Sequence, residues 1–194
     1  LPYSSAELEL SARVASVGAD GFDKESLSQY FYNVLNSQQS NQEEISFALF
    51  GLASLDKPVL PRINSWLQND KLGPKEKLYL SQALLNLGDR YRSKELYLEV
   101  MAQYGEVKEP DIKIQVSTNP DEVFHATAIA AVLASSLDAP EAAGLWEFLD
   151  KNQKLYGQNK NSENLFTLER LSYIKDAITK LKPSPATIKY KLFG

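Results

Sequence analysis

The sequence predicts an all-α protein built from consecutive helical hairpins. Apolar residues recur at helical spacing along most of the chain, capping residues stand before most of these runs, and the connections between them are short. The 194 residues are enough for one domain or two small ones. With 43% hydrophobic and 24% charged residues, the chain falls among globular rather than disordered sequences.

Ser4-Ser5-Ala6-Glu7 opens the first helix as a capping box, and Leu8, Leu10, Val14 and Val17 are its apolar residues. Gly18 to Gly21 breaks it. Asp23 caps a second helix with Leu27, Phe31, Val34 and Leu35 on one face. After the polar connection Ser37 to Gln42, Asn41 and Glu44 start a third helix, to Leu55, with a stripe of Ile45, Ala48, Leu49 and Leu52. Asp56-Lys57-Pro58 reads as a capping aspartate near a proline, ahead of a short fourth helix through Ile63 and Trp66 to Leu67. Gly73-Pro74 starts a fifth, to Leu87, because proline fits where the first-turn amide has no partner. Gly88-Asp89 turns the chain into a sixth, Arg90 to Tyr104.

Residues 107–117 differ. Ile112, Ile114 and Val116 alternate with polar residues, a strand or extended-loop pattern that Pro110 keeps off a central strand position. Asn119-Pro120-Asp121-Glu122 then combines a capping asparagine, a first-turn proline and first-turn acids. The helix it opens, to Leu137, is apolar nearly all round at Phe124, Ala128, Ile129, Ala131, Val132 and Leu133, which predicts neighbours on most sides. Asp138-Ala139-Pro140-Glu141 repeats that start chemistry for an eighth helix through Leu145, Trp146 and Leu149. Tyr156 to Lys160 reads as a loop. A ninth helix from Ser162 carries Leu165, Leu168, Leu171, Ile174 and Ile178, and Thr187 to Phe193 alternates like a terminal strand. The predicted organisation is a helical domain over 1–182 and an extended tail over 183–194.

Helix ends recur in kind, as LASLD (52–56), LLNLGD (84–89) and LASSLD (133–138). The turn aspartates at 56, 89 and 138 lie 33 and 49 residues apart, unlike the steady period of about 34 residues in a tetratricopeptide array. Irregular hairpins fit an α/α toroid, whose alternating helices form inner and outer layers.

Composition narrows function further. The 25 acidic residues against 21 basic ones argue against a nucleic-acid partner, and no run of about 18 apolar residues is present to span a membrane. With no cysteine, disulfides, thiolate metal sites and a cysteine nucleophile are excluded. A start at Leu1 and a lone methionine, Met101, suggest a piece of something longer. His125, the single histidine, reads as structural for want of a carboxylate partner or second ligand. Glu43/Glu44, Asp121/Glu122 and Glu141 stand at helix starts, where capping and the helix dipole explain them better than a two-carboxylate glycosidase does. Trp66 and Trp146 are spaced with leucines, as core residues are. Lys57, Lys71, Lys75 and Lys77, and Lys180, Lys182, Lys189 and Lys191, read as solvated faces. No catalytic, cofactor-binding or metal-ligating residue is assigned.

The second half resembles the C-terminal part of the thioester-containing domain of the α2-macroglobulin and complement family. The matching runs are LYLSQALLNLGD (78–89), NPDEVFHATAIAAVLASSLD (119–138), GLWEFLDKNQKLYG (144–157), NSENLFTLERLSYI (161–174) and the tail ATIKYKLFG. Similarity covers about residues 74–194, and residues 1–73 follow only the helix-pair pattern. The resemblance implies a non-catalytic helical domain of a larger protein of the cell surface or envelope that traps proteases. Its partners would be other domains of the same chain and a protease target. The family's thioester joins a cysteine and a glutamine in a Cys-Gly-Glu-Gln run. That run lies upstream of Leu1 or is lost, and the family's Thr-Gln pair is replaced by Ser162-Glu163. Covalent capture is assigned to no residue present. The alternatives are a helical-repeat module binding a peptide and an α/α-barrel carbohydrate-active enzyme.

Overall fold

A computed structural model describes residues 5–18 and 23–156. Eight helices and one two-stranded sheet make up this part: α1 (Ser5–Val17), α2 (Lys24–Asn36), α3 (Gln42–Ser54), α4 (Leu60–Trp66), α5 (Pro74–Asn86), α6 (Arg90–Tyr104), β1 (Gly105–Lys108), β2 (Asp111–Ile114), α7 (Pro120–Ser136) and α8 (Ala142–Tyr156). The chain is all-α in character, as predicted. The Ser4 cap, the ninth helix, the terminal strand and the tail over 183–194 fall outside the described residues.

Several starts follow the predicted chemistry. The Asp23 carboxylate accepts from the amides of Glu25 and Ser26. Asn41 and Glu44 form a full capping box, each side chain accepting the other's amide at 2.9 and 3.0 Å. Asn119 Oδ1 accepts from the Asp121 amide, with Pro120 in the first turn.

Two starts do not. Asp56 caps no helix: α4 begins after Val59 without a side-chain cap. Asp138 likewise precedes α8 by several residues. Both instead adopt left-handed backbone, φ 57° and 55°, just past the ends of α3 and α7, where Gly18 and Gly88 stand past α1 and α5. The amides two residues after each helix C-cap reach back to its last turn, Lys57 N to Leu52 O, Asp89 N to Leu84 O and Ala139 N to Ala134 O. This is the Schellman closure, which satisfies otherwise orphaned carbonyls. The repeated helix end is therefore Gly18, Asp56, Gly88 and Asp138, and Asp89 is the N-cap of α6.

Helices α1, α3, α5 and α7 lie in sequence, each packed on the next, while α2 packs on α3, α4 and α6 on α5, and α8 on α7. Gly51 lets α2 approach α3, since a Cβ there would stand 2.5 Å from the Phe31 ring. Every residue of α7 from Ala126 to Ala134 is buried, so its predicted encirclement holds. On α1, in contrast, the buried apolar residues are Leu8, Ala12 and Ala15, and Leu10 is exposed.

Residues 107–117 form part of an antiparallel hairpin, with Gly105 opposite Ile114 and Lys108 opposite Asp111. Pro110 sits in its turn, where its missing amide breaks no ladder. Ile114 is fully buried, and its amide donates to Thr127 Oγ1 on α7 at 2.9 Å. Gly144 seats α8 against the hairpin: a Cβ would lie 2.6 Å from Ile112 Cγ1.

Ala131 is fully buried and Phe124 is 3% exposed. Ala131→Leu should destabilise by about 1–3 kcal/mol through overpacking, and Phe124→Ala by roughly 3–5 kcal/mol through cavity formation. Equilibrium denaturation checks both, and unchanged midpoints would put α7 at the surface. Gly88→Ala isolates backbone strain, because a Cβ there meets nothing within 4 Å. It should cost about 1 kcal/mol, measured the same way, if left-handed geometry is what selects glycine.

Candidate functional site

Only Glu9 and Arg13, among the described residues, are charged side chains in the buried class. They stand four residues apart, hence on one face of α1. That face also carries the buried Leu8, Ala12 and Ala15, so the two charges enter the interior with the apolar stripe.

Their surroundings come from three other helices. Helix α5 supplies Tyr79, whose hydroxyl donates to Glu9 Oε1. It also supplies Gln82, whose Oε1 accepts from Arg13 Nη1 at 3.1 Å, while Arg13 Nη2 donates to the Tyr79 hydroxyl at 2.7 Å. The guanidinium lies over two rings, with Cζ 4.6 Å from the Tyr79 centroid and 5.4 Å from that of Phe50. Phe47, also on α3, meets Tyr79 edge-on at 4.7 Å and faces Lys75 Nζ at 5.1 Å. Lys75 bridges two carboxylates, 3.5 Å from Glu9 and 2.7 Å from Glu43. Helix α7 contributes His125, with Nε2 3.0 Å from Glu9 Oε1. The ring nitrogen faces that oxygen without meeting hydrogen-bond geometry.

Burial pushes the Glu9 carboxyl upward. His125, then Lys75 and Arg13, outweigh that effect and hold it far below the usual carboxylate range. The carboxylate is thus the anionic centre of a set of cations and donors. Glutamate, tyrosine, histidine, arginine and lysine are acid–base chemistry in kind. Here, however, the Tyr79 hydroxyl and both terminal guanidinium nitrogens are engaged within the protein.

His125 corrects the expectation drawn from sequence, because it does have a carboxylate partner. The partner is on α1, out of sight of any local pattern. Lys75, expected on a solvated face, is instead drawn into this cluster by Glu9 and Glu43, and the remaining weighed residues lie outside it. Glu44 closes the α3 cap. Glu141 accepts a long 3.4 Å bond from the Tyr97 hydroxyl, whose ionisation is pushed up by burial and then by that carboxylate. Trp146 Nε1 donates to Ser135 Oγ at 2.9 Å. Trp66 packs partly buried against the core. Lys57 pairs with Glu25 and Lys77 with Glu99. Among the described residues no three His, Cys, Asp or Glu are grouped to hold a metal, and no helix is long and apolar enough to cross a membrane. Glu9, Arg13, Tyr79 and Gln82 escaped the sequence reading. The available signal was a Glu-x-x-x-Arg pair flanked by Leu8, Ala12 and Ala15.

The native Glu9 carboxyl ionises more readily than in the unfolded chain. Its contribution to stability is therefore complete above the unfolded value, near pH 4.3, and is lost as the pH falls below it. The stability gap between the parent and Glu9→Gln should be widest at neutral pH and narrow below about pH 4. Denaturation midpoints from pH 7 to pH 2 measure it, and parallel acid profiles would remove Glu9 from the account.

No protein-family model, curated protein or solved structure matches this chain, so the helix order and the buried cluster are what a functional reading rests on.

Proposed function

We propose that this chain is a non-catalytic α/α-toroid domain of a larger α2-macroglobulin-like protein of the cell surface or envelope, contributing to protease trapping. The observation that carries the reading is the packing order. Helices α1, α3, α5 and α7 follow one another while α2, α4, α6 and α8 each pack on a member of that row. Inner and outer layers of a toroid would have this order. The sequence resemblance over residues 74–194 supplies the family.

A domain of this kind works by being moved and by contacting its neighbours, not by turnover. Tyr91 and Leu98 fit that role: they are exposed, and seven residues apart they share one side of α6. Other domains of the same chain would find an apolar foothold there. The acid–base residues around Glu9 are used to hold helices together, which fits a structural part better than an enzyme.

The full product of the gene should protect a large protein substrate from an endopeptidase while a small chromogenic substrate is still cleaved. Equal protection of both, or of neither, overturns trapping. The present chain should keep its mass in methylamine and hydrolyse neither glycosides nor peptides. A mass increment or measurable turnover overturns the non-catalytic reading.

A further inference from the structure

Helix α1 is attached differently from the other helices of its row. Helices α3, α5 and α7 bury long apolar runs, whereas α1 buries three apolar side chains together with Glu9 and Arg13. It packs mainly on α3, with few contacts to α2, the helix that follows it in the chain. Gly18, in left-handed backbone, ends it.

We propose that α1 is a releasable strap, docked through the Glu9 charge, which undocks as one unit and uncovers the aromatic platform of Phe47, Phe50 and Tyr79. The platform is built to receive a cation. Two rings lie within 5.4 Å of the guanidinium carbon, and the Gln82 carbonyl and Tyr79 hydroxyl accept from its two ends. The charged and titratable groups at this junction are Glu9 and Arg13 on α1, Glu43 on α3, Lys75 and Tyr79 on α5, and His125 on α7.

Buried charges make the attachment conditional. Desolvating Glu9 and Arg13 cancels much of what their attractions gain, so the docked pair adds little net stability. Removing one partner leaves the other charge buried and uncompensated, which is strongly unfavourable. An apolar seam loosens gradually with each lost methylene. A charged plug of this kind holds or releases as a whole. Once α1 leaves, both charges regain water, and the rings and Lys75 are uncovered.

Native-state hydrogen exchange on the unmodified chain tests the proposal. The amides of α1 that are protected by helical bonds should share one opening, with a denaturant slope well below that of α7. Glu9→Gln should speed α1 exchange on the order of a hundredfold relative to α7. Lys77→Met, which removes a half-exposed pair with Glu99, should leave that ratio unchanged. Three results would overturn the strap: α1 opening with the global slope of α7, α1 amides fraying one by one without a common opening, or Glu9→Gln accelerating both helices equally. If Glu9→Gln fails to fold, the exchange pattern of the unmodified chain decides between the first two results and the proposal.

Discussion

Helix α5 has to be covered on every side, and the other elements are arranged to do so. Seven consecutive residues, Leu78 to Leu84, are buried. A helix advances about 100° per residue, so seven in a row point in all directions around its axis. One neighbour could not cover them. Helices α3 and α6 pack heavily on α5, α7 packs along it and α4 adds a smaller contact. The same helix presents Lys75, Tyr79 and Gln82 to α1, so the apolar core and the buried polar cluster share one support.

That arrangement explains the two kinds of polar residue inside. Small hydroxyls bond within their own helix or to the next: Ser46 donates to Gln42 O, Thr127 to Val123 O, and Ser81 to Ser93 O across α5 and α6. Such groups need one acceptor and can be satisfied locally. A carboxylate and a guanidinium offer too many bonding positions for a single turn of helix to satisfy. Glu9 and Arg13 therefore draw on α5, with His125 of α7 beside Glu9, and their burial requires those helices to be in place.

How much of this was legible in sequence follows from the range of each interaction. The capping box at Asn41 and Glu44, the Asn119-Pro120 start and the departure from helix near Ile112 and Ile114 rest on contacts within a few residues, and they could be read. Asp56 and Asp138 were misread because aspartate suits both a helix start and a left-handed helix end. Only the φ angle decides between them. Glu9 and Arg13 were passed over because charges on a helix near the start of a chain are ordinarily solvated. Arg13 finds its partners 66 and 69 residues away, beyond any periodicity. The all-α character could be read from helical spacing and caps, and the buried junction from nothing local.

The left-handed helix ends at Gly18, Asp56, Gly88 and Asp138 impose a common punctuation on the four helices of the row. After Asp56, Gly88 and Asp138 the chain closes back on the helix in the same way, whatever comes next. What comes next is free to vary in size: a short α4 follows one reversal, and α6 with the β-hairpin follows another. The fold thus behaves like a comb whose teeth are fixed at the spine and differ in length beyond it. Residues could be gained or lost in the segments between them without shifting the register in which α1, α3, α5 and α7 meet. The hairpin lies in the segment between α5 and α7 and is tied down by Ile114, Thr127 and Gly144.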